Sequence, residues 1–374
     1  MHQKIHISLV GGQTMPVYLG IAETNPDKIV LVHSDKTLSQ AKRIAESCKG
    51  ETILVSFPPV DITEILSSVD KLFSQYAGED ITVNLTGGTK PWAIAFAMKA
   101  QPKDNVRLIY IDQNCVFYDY TSHDTSKIVW QPQLALDMET LMHYNGQAPW
   151  SHATLEKFED DDKYVLEKVK KLRKQSPVNF NELTIDTERK AKSGSSFMLR
   201  NGSYIEWDRK AHNVHMLLMT RWSKLEEDLS SPNVMKIVFN SGWFENEVAL
   251  IMNRWAHTKE LWMNVVYKTA DGRKDKNEID VIVNTGVKLL MVECKTQIHS
   301  ITDIDKFRNA VKNYGGMGCK ALFVTESSMR PEAVEKCRDS DIIPFSLSAY
   351  PDIRTARKSL YQLLDKELFN LNAR

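Results

Sequence analysis

Four residues towards the C-terminal end of the sequence, Glu245, Asp280, Glu293 and Lys295, have the types and spacing that phosphodiester hydrolysis requires. Glu293 and Lys295 are two apart, so on a strand they project from one face while Cys294 points the other way. Asp280 sits in the apolar stretch Ile279-Asp280-Val281, and Glu293 in Met291-Val292-Glu293-Cys294-Lys295. Two carboxylates on neighbouring strands can share one hard divalent cation, with water completing its shell. A lysine beside that cation can orient or deprotonate the attacking water, or stabilise charge on the phosphate.

The surrounding pattern supplies elements to hold them. The spacing predicts a helix over 243–255, a strand over 261–268, a charged loop over 271–277 and a hairpin of strands 278–284 and 288–294 turning at Thr285-Gly286. A helix near 303–313, a strand at 321–324, a helix near 331–338 and a strand at 342–345 follow. Glu245 falls at the helix start. Glu247 competes with it, being two residues on and about 200° around the helix. Arg273, Lys274 and Lys276 form a cationic cluster that could steer nucleic acid, or a solvated hairpin tip.

The strings Asn277-Glu278-Ile279-Asp280-Val281 and Val292-Glu293-Cys294-Lys295-Thr296, with Gly242-Trp243-Phe244-Glu245 before them, resemble the PD-(D/E)xK restriction-endonuclease-like core. Ile279 stands where the motif's name has Pro. The resemblance implies that Glu245, Asp280 and Glu293 hold Mn²⁺ or Mg²⁺ and that Lys295 serves the water or the phosphate. It also implies a further polar residue on the following helix, for which Lys306 and Gln297 are candidates.

Residues 1–130 alternate nearly continuous apolar strands (4–10, 28–34, 52–57, 81–85, 106–112, 116–120) with helical stretches near 37–49, 61–77 and 90–100. Strands of that kind are buried on both faces, and the alternation predicts a doubly wound α/β domain. Its ligands bind beyond the carboxyl ends of the strands. Gly11-Gly12-Gln13-Thr14 follows the first strand, Ser34 ends the second, and Thr86-Gly87-Gly88-Thr89-Lys90-Pro91 leads from the fourth into a helix. Paired glycines let backbone approach a ligand, and a helix start can hold phosphate. No GxxxxGK[ST] or GxGxxG string is present, which argues against a P-loop or a dinucleotide cofactor.

The string from Asn84 to Lys90 resembles the CARF domain, the CRISPR-associated Rossmann-fold sensor, in the form that accompanies a restriction-type nuclease. That resemblance implies binding of a cyclic oligoadenylate, with tetra-adenylate the family's commoner ring, by a two-fold homodimer. Gly11, Gly12, Gln13, Thr14, Ser34, Thr86, Gly87, Gly88, Thr89 and Lys90 would line the site. Thr14, Thr86 and Lys90 are residues of the kind that would cleave the ring slowly.

Between the two halves, 146–235 reads as a linker or a small helix-plus-hairpin module, with a helix over 162–175 and a short acidic run, Glu159 to Asp162, as a solvated helix start. The division expected is 1–145, 146–235 and 236–374. Five scattered cysteines without CxxC pairs argue against a disulfide framework and a structural zinc site. Ten histidines show no HExxH string. Formal net charge is zero, so any grip on nucleic acid must be local, transient or metal-assisted. No apolar run reaches the roughly 20 residues of a membrane span, and the N-terminal string reads as a strand, so a cytoplasmic location is expected.

Together these readings describe an α/β protein, a Rossmann-like CARF domain followed by a restriction-endonuclease-like domain. The expected activity is a cyclic-oligoadenylate-activated, metal-dependent nuclease of type III CRISPR defence. It would cleave DNA and/or RNA with low sequence specificity, cutting single strands and nicking supercoiled plasmid. The competing expectation is a ligand-gated binding module with a winged helix at 150–235 and a silent nuclease fold.

Overall fold

The computed structural model describes residues 2–101, 103–112, 115–121, 129–130, 134–144, 148–157, 160–185, 194–269, 272–298, 300–316 and 318–369. His123, Gly146, Glu159, Asp271 and His299 lie outside them. The chain divides into two compact units, one of residues 1–149 with 284–291 and 308–320, the other of 150–283, 292–307 and 321–374.

The first unit is built on a seven-stranded sheet of β1 (Lys4–Leu9), β2 (Lys28–His33), β3 (Glu51–Ser56), β4 (Asp80–Asn84), β5 (Val106–Ile111), β6 (Phe117–Asp119) and β7 (Val129–Trp130), in the order β3-β2-β1-β4-β5-β6-β7. The first five are parallel, and β6 and β7 add antiparallel edges. Connecting helices are α1 (Met15–Thr24), α2 (Leu38–Ser47), α3 (Ile62–Gln75) and α4 (Lys90–Ala100), and α5 (Met138–Tyr144) follows the sheet. This is the doubly wound, Rossmann-like architecture that the apolar strands call for. Ile5, Ile7 and Leu9 of β1 pack with Val69, Phe73, Trp92 and Phe96 of α3 and α4. Asp61 caps α3, accepting from Thr63 N and Glu64 N at 3.0 Å. Strand order reverses between β1 and β4, which opens a crevice at their carboxyl ends.

No helix was expected at α1. Its residues Met15, Pro16, Val17, Leu19, Gly20 and Ile21 are all buried. A helix covered on most sides has no polar stripe for the sequence to display.

The second unit begins with β8 (Ser151–Ala153), α6 (Asp160–Gln175) and α7 (Pro177–Thr184). A four-stranded antiparallel sheet follows, with β9 (Ser196–Met198), β10 (Tyr204–Asp208), β11 (Asn213–Met219) and β12 (Lys224–Ser230) ordered β12-β11-β10-β9. The middle segment therefore carries two strands more than a hairpin. Asp162 is not a solvated helix start. It is fully buried and accepts from Asn233 N at 3.0 Å and Asn233 Nδ2 at 2.8 Å.

The rest of the chain is α8 (Val234–Phe239), α9 (Gly242–Asn253), β13 (Glu260–Lys268), β14 (Asp275–Asn284), β15 (Leu289–Lys295), α10 (Thr302–Tyr314), β16 (Lys320–Thr325), α11 (Pro331–Asp339), β17 (Ile342–Ser346) and α12 (Ile353–Phe369). The six-stranded sheet runs β17-β16-β15-β14-β13-β8. β14 starts at Asp275, so the charged loop before it is shorter than 271–277. Trp243, Trp255 and Trp262 pack inside this unit, as does Cys294. Among the described residues no helix is long and apolar enough to cross a membrane.

Candidate active site and ligand crevice

Asp280 on β14 meets Glu293 and Lys295 on the adjacent β15. The Asp280 carboxylate is pinned by Cys294 N, which donates to Oδ2 at 2.7 Å. Lys295 Nζ donates to Glu293 Oε1 at 2.5 Å and lies 3.9 Å from Asp280 Oδ2. Glu245 reaches them from α9. Its helix starts with a sharp bend, Ser241 at φ +60° followed by Gly242, where a Cβ would stand 2.9 Å from the Lys236 carbonyl oxygen. A side chain at 242 would therefore push the α9 start away from α8.

Burial dominates the electrostatics. Glu245 and Asp280 keep 8% and 7% of their surface. Burial, followed by the neighbouring Asp280 charge, holds the carboxyls of Glu245 and Glu293 well above the ordinary carboxylate range. Asp280 is raised too, by burial. At Lys295 burial opposes the charged form, but Asp280 and Glu293 outweigh it and raise its pKa. The three acids are hard-oxygen donors of the kind a divalent cation takes. As they stand, no three His, Cys, Asp or Glu side chains among the described residues converge closely enough to hold a metal. Glu245 is turned to Asn264, and Glu293 to Lys295. Side-chain rotation, with the backbone in place, is what a bound cation would require.

Glu247 is not an equivalent of Glu245. Its carboxyl is raised by burial, and the charges acting on it are Lys170, Glu326 and Arg173 rather than Asp280. Arg173 pairs with Glu326 and lies 3.9 Å over the Trp243 ring, a separate structural cluster. Lys306 is turned to solvent, 3.7 Å from Asp303, and Gln297 is exposed.

Two residues at the site escaped the sequence reading. Asn264 Nδ2 donates to Glu245 Oε2 at 2.9 Å. It does so from a left-handed backbone, φ +49°, inside β13, where the register with β8 shifts between Met263 and Val266. Lys236 Nζ lies 2.9 Å from Glu278 Oε1 and 3.6 Å from Glu245 Oε2. A left-handed asparagine within a strand pattern has no sequence signal, because the bulge exists only against the partner strand.

In the first unit the expected loops meet at the crevice. A Cβ at Gly87 would stand 2.0 Å from the Leu9 carbonyl oxygen, and one at Gly11 3.0 Å from Gly88 N. Gly88 adopts φ +71°. The β1 and β4 loops thus touch backbone to backbone, with Ser34 at the end of the neighbouring β2. Gly12, Gln13 and Lys90 are open to solvent. The threonines are committed elsewhere. Thr14 is buried and donates to Tyr144 O at 2.5 Å. Thr86 Oγ1 donates to Asn84 Oδ1 and accepts from Ile111 N, both at 2.7 Å. Thr89 caps α4 and donates to Pro59 O at 3.0 Å. Asn84 joins these parts, since its Nδ2 donates to Pro16 O at 3.0 Å.

Residues 5–137 match the Card1 CARF domain. This CARF-matching segment contains every crevice loop just described. The whole chain has the fold of Can2 from Sulfobacillus thermosulfidooxidans, solved in complex with cyclic tetra-adenylate, at TM-score 0.70 and 16% identity over 98% of this chain and 99% of that one. Protein VC1899 from Vibrio cholerae is similar at TM-score 0.69 and 13% identity, over 97% and 98%. A type III CRISPR defence DNA nuclease activated by cyclic oligoadenylate aligns at TM-score 0.53 and 13% identity, over 93% of this chain and 48% of that one. No curated protein matches the chain.

Proposed function

We propose that this protein is a metal-dependent nuclease switched on by a cyclic oligoadenylate, with a sensor at 1–145, a connecting module at 146–235 and a nuclease domain at 236–374. The observation that carries the reading is the placing of Glu245, Asp280, Glu293 and Lys295, from three elements, in one cluster of interacting charges. The CARF-matching segment and the fold shared with Can2, a protein solved with cyclic tetra-adenylate, support the sensor half.

Glu245, Asp280 and Glu293 would hold Mn²⁺ or Mg²⁺, which supplies Lewis acidity at the phosphate and an acidified water. Cys294 N keeps Asp280 in place for that role, and Asn264 orients Glu245. Lys295, held cationic by its two acidic neighbours, offsets charge on the phosphate oxygens rather than taking a proton. In the sensor, Gly11, Gly12, Gly87 and Gly88 expose backbone N–H groups to the ring. Gln13 and Lys90 add side-chain contacts, and Ser34 closes the β2 edge. Thr14, Thr86 and Thr89 act as scaffold. A ring with internal two-fold symmetry fits two copies of these loops across a dimer axis.

The test incubates the purified chain with single-stranded DNA, RNA and supercoiled plasmid, with Mn²⁺ or Mg²⁺. Each reaction runs with and without cyclic tetra- or hexa-adenylate, beside Glu293→Ala. Cleavage that needs one ring and is lost in the variant is expected. Cleavage without any ring would remove the sensor half. A bound ring with no cleavage of any substrate would remove the nuclease half.

A further inference from the structure

The second unit carries a basic and aromatic surface that the carboxylates do not use. Trp150 precedes β8 with 64% of its surface exposed, a costly placement for so large an apolar ring unless something covers it. Its position is set on three sides. Its backbone N–H donates to Val266 O at 2.8 Å. Lys268 Nζ lies over one ring face, 4.2 Å from the centroid. A Cβ at Gly272 would stand 3.8 Å from the ring's edge. Trp150 is therefore clasped by the β13–β14 hairpin, which closes through Thr269 N donating to Lys274 O at 3.0 Å.

Residues 268–276 hold four cations against two acids in a chain whose net charge is zero. Arg273, Lys274 and Lys276 are exposed. The patch runs into the candidate active site along both strands. Val266 is two residues from Asn264, the partner of Glu245, which is roughly 7 Å at the rise of a strand. Lys276, Glu278 and Asp280 alternate along β14 and so share a face. A cationic track beside an exposed ring fits a phosphate backbone with an unpaired base, because only an unpaired base has a face to stack.

We propose that Trp150 and the cationic β13–β14 hairpin hold single-stranded nucleic acid beside the carboxylates. One base stacks on the ring face opposite Lys268, and phosphates lie against Lys268, Arg273, Lys274 and Lys276. The proposal rests on the nuclease reading for the fate of the strand, and on the hairpin alone for its binding.

The test measures anisotropy of fluorescein-labelled oligo-dT, oligo-U and a matched short duplex with the full chain in EDTA. Tighter binding of the single strands than of the duplex is expected. Trp150→Ala weakens it roughly tenfold, and Trp150→Phe less, because a smaller ring still stacks. Lys274→Glu combined with Lys276→Glu makes the fall of affinity with salt shallower. The two oligomers show whether the surface accepts deoxyribose, ribose or both. Single-strand affinity indifferent to all three variants, or a preference for the duplex, overturns the proposal. Trp150-dependent binding of a strand that stays uncut in Mn²⁺ with cyclic tetra- or hexa-adenylate present retires the nuclease reading and keeps the surface. Cleavage with affinity indifferent to the variants does the reverse.

Discussion

Glu245, Asp280 and Glu293 hold their protons more tightly than free carboxyls, first because burial strips water from them and, at the two glutamates, because the Asp280 charge lies nearby. Both glutamates, raised by burial and by the Asp280 charge, stay protonated at pH values where the unfolded chain has released its protons. Across that window, from about pH 4.3 upwards, the folded chain binds more protons than the unfolded one, so stability falls as pH rises. The thermal midpoint of metal-free protein is therefore expected to drop between pH 5 and pH 8, and less steeply in Asp280→Asn. Stabilisation by Mn²⁺ grows over the same range, as the acids lose the protons that compete with it. A midpoint flat in pH would contradict the buried cluster. Asp280→Asn is also expected to abolish calorimetric Mn²⁺ binding. Asn264→Ala leaves Glu245 unheld and weakens Mn²⁺ affinity by about 10–100-fold. Unchanged affinity there would show that the bulge serves the fold alone.

At the scale of elements, glycines bring the loops together. A methyl group at Gly87 meets backbone, the Leu9 carbonyl oxygen at 2.0 Å, which cannot swing aside. Gly87→Ala is expected to cost about 1–3 kcal/mol in urea unfolding and to separate the β1 and β4 loops. Gly12 has no atom within 4 Å of its would-be Cβ, so Gly12→Ala changes stability by less than about 0.5 kcal/mol. Equal effects of the two would deny the backbone contact. The same contrast explains what could be read in advance. The strands of the first sheet and the β14–β15 hairpin declare themselves by unbroken apolar runs and by a tight turn. α1 is nearly all buried and shows no period. α12 repeats its buried Ala356, Leu360, Leu364 and Leu368 every four residues, an apolar stripe that the sequence displays. Asp162 looked like one of several solvated acids, and only its partner Asn233, 71 residues away, makes it a buried tie.

At the scale of the molecule, the proposed switch requires that the ring bind the active arrangement more tightly than the resting one. The coupling must then be reciprocal. A cyclic tetra-adenylate titration is expected to raise the thermal midpoint, and a bound single strand to tighten ring binding by the factor by which the ring tightens strand binding. Independent affinities would mean two activities on one chain without communication.

The strands of the first sheet, the glycine loops and the carboxylate and lysine spacing on one strand face are legible in the residue order alone. These are local, and periodicity and turn chemistry expose them. The tertiary structure decided which groups meet. It set Glu245 apart from Glu247, gave Thr14, Thr86 and Thr89 hydrogen-bond partners within the protein, and brought Asn264 and Lys236 to Glu245. It also placed Trp150 against the hairpin. Each of these depends on burial and on contacts between residues distant in the chain, and neither quantity is carried by a local pattern of residue types.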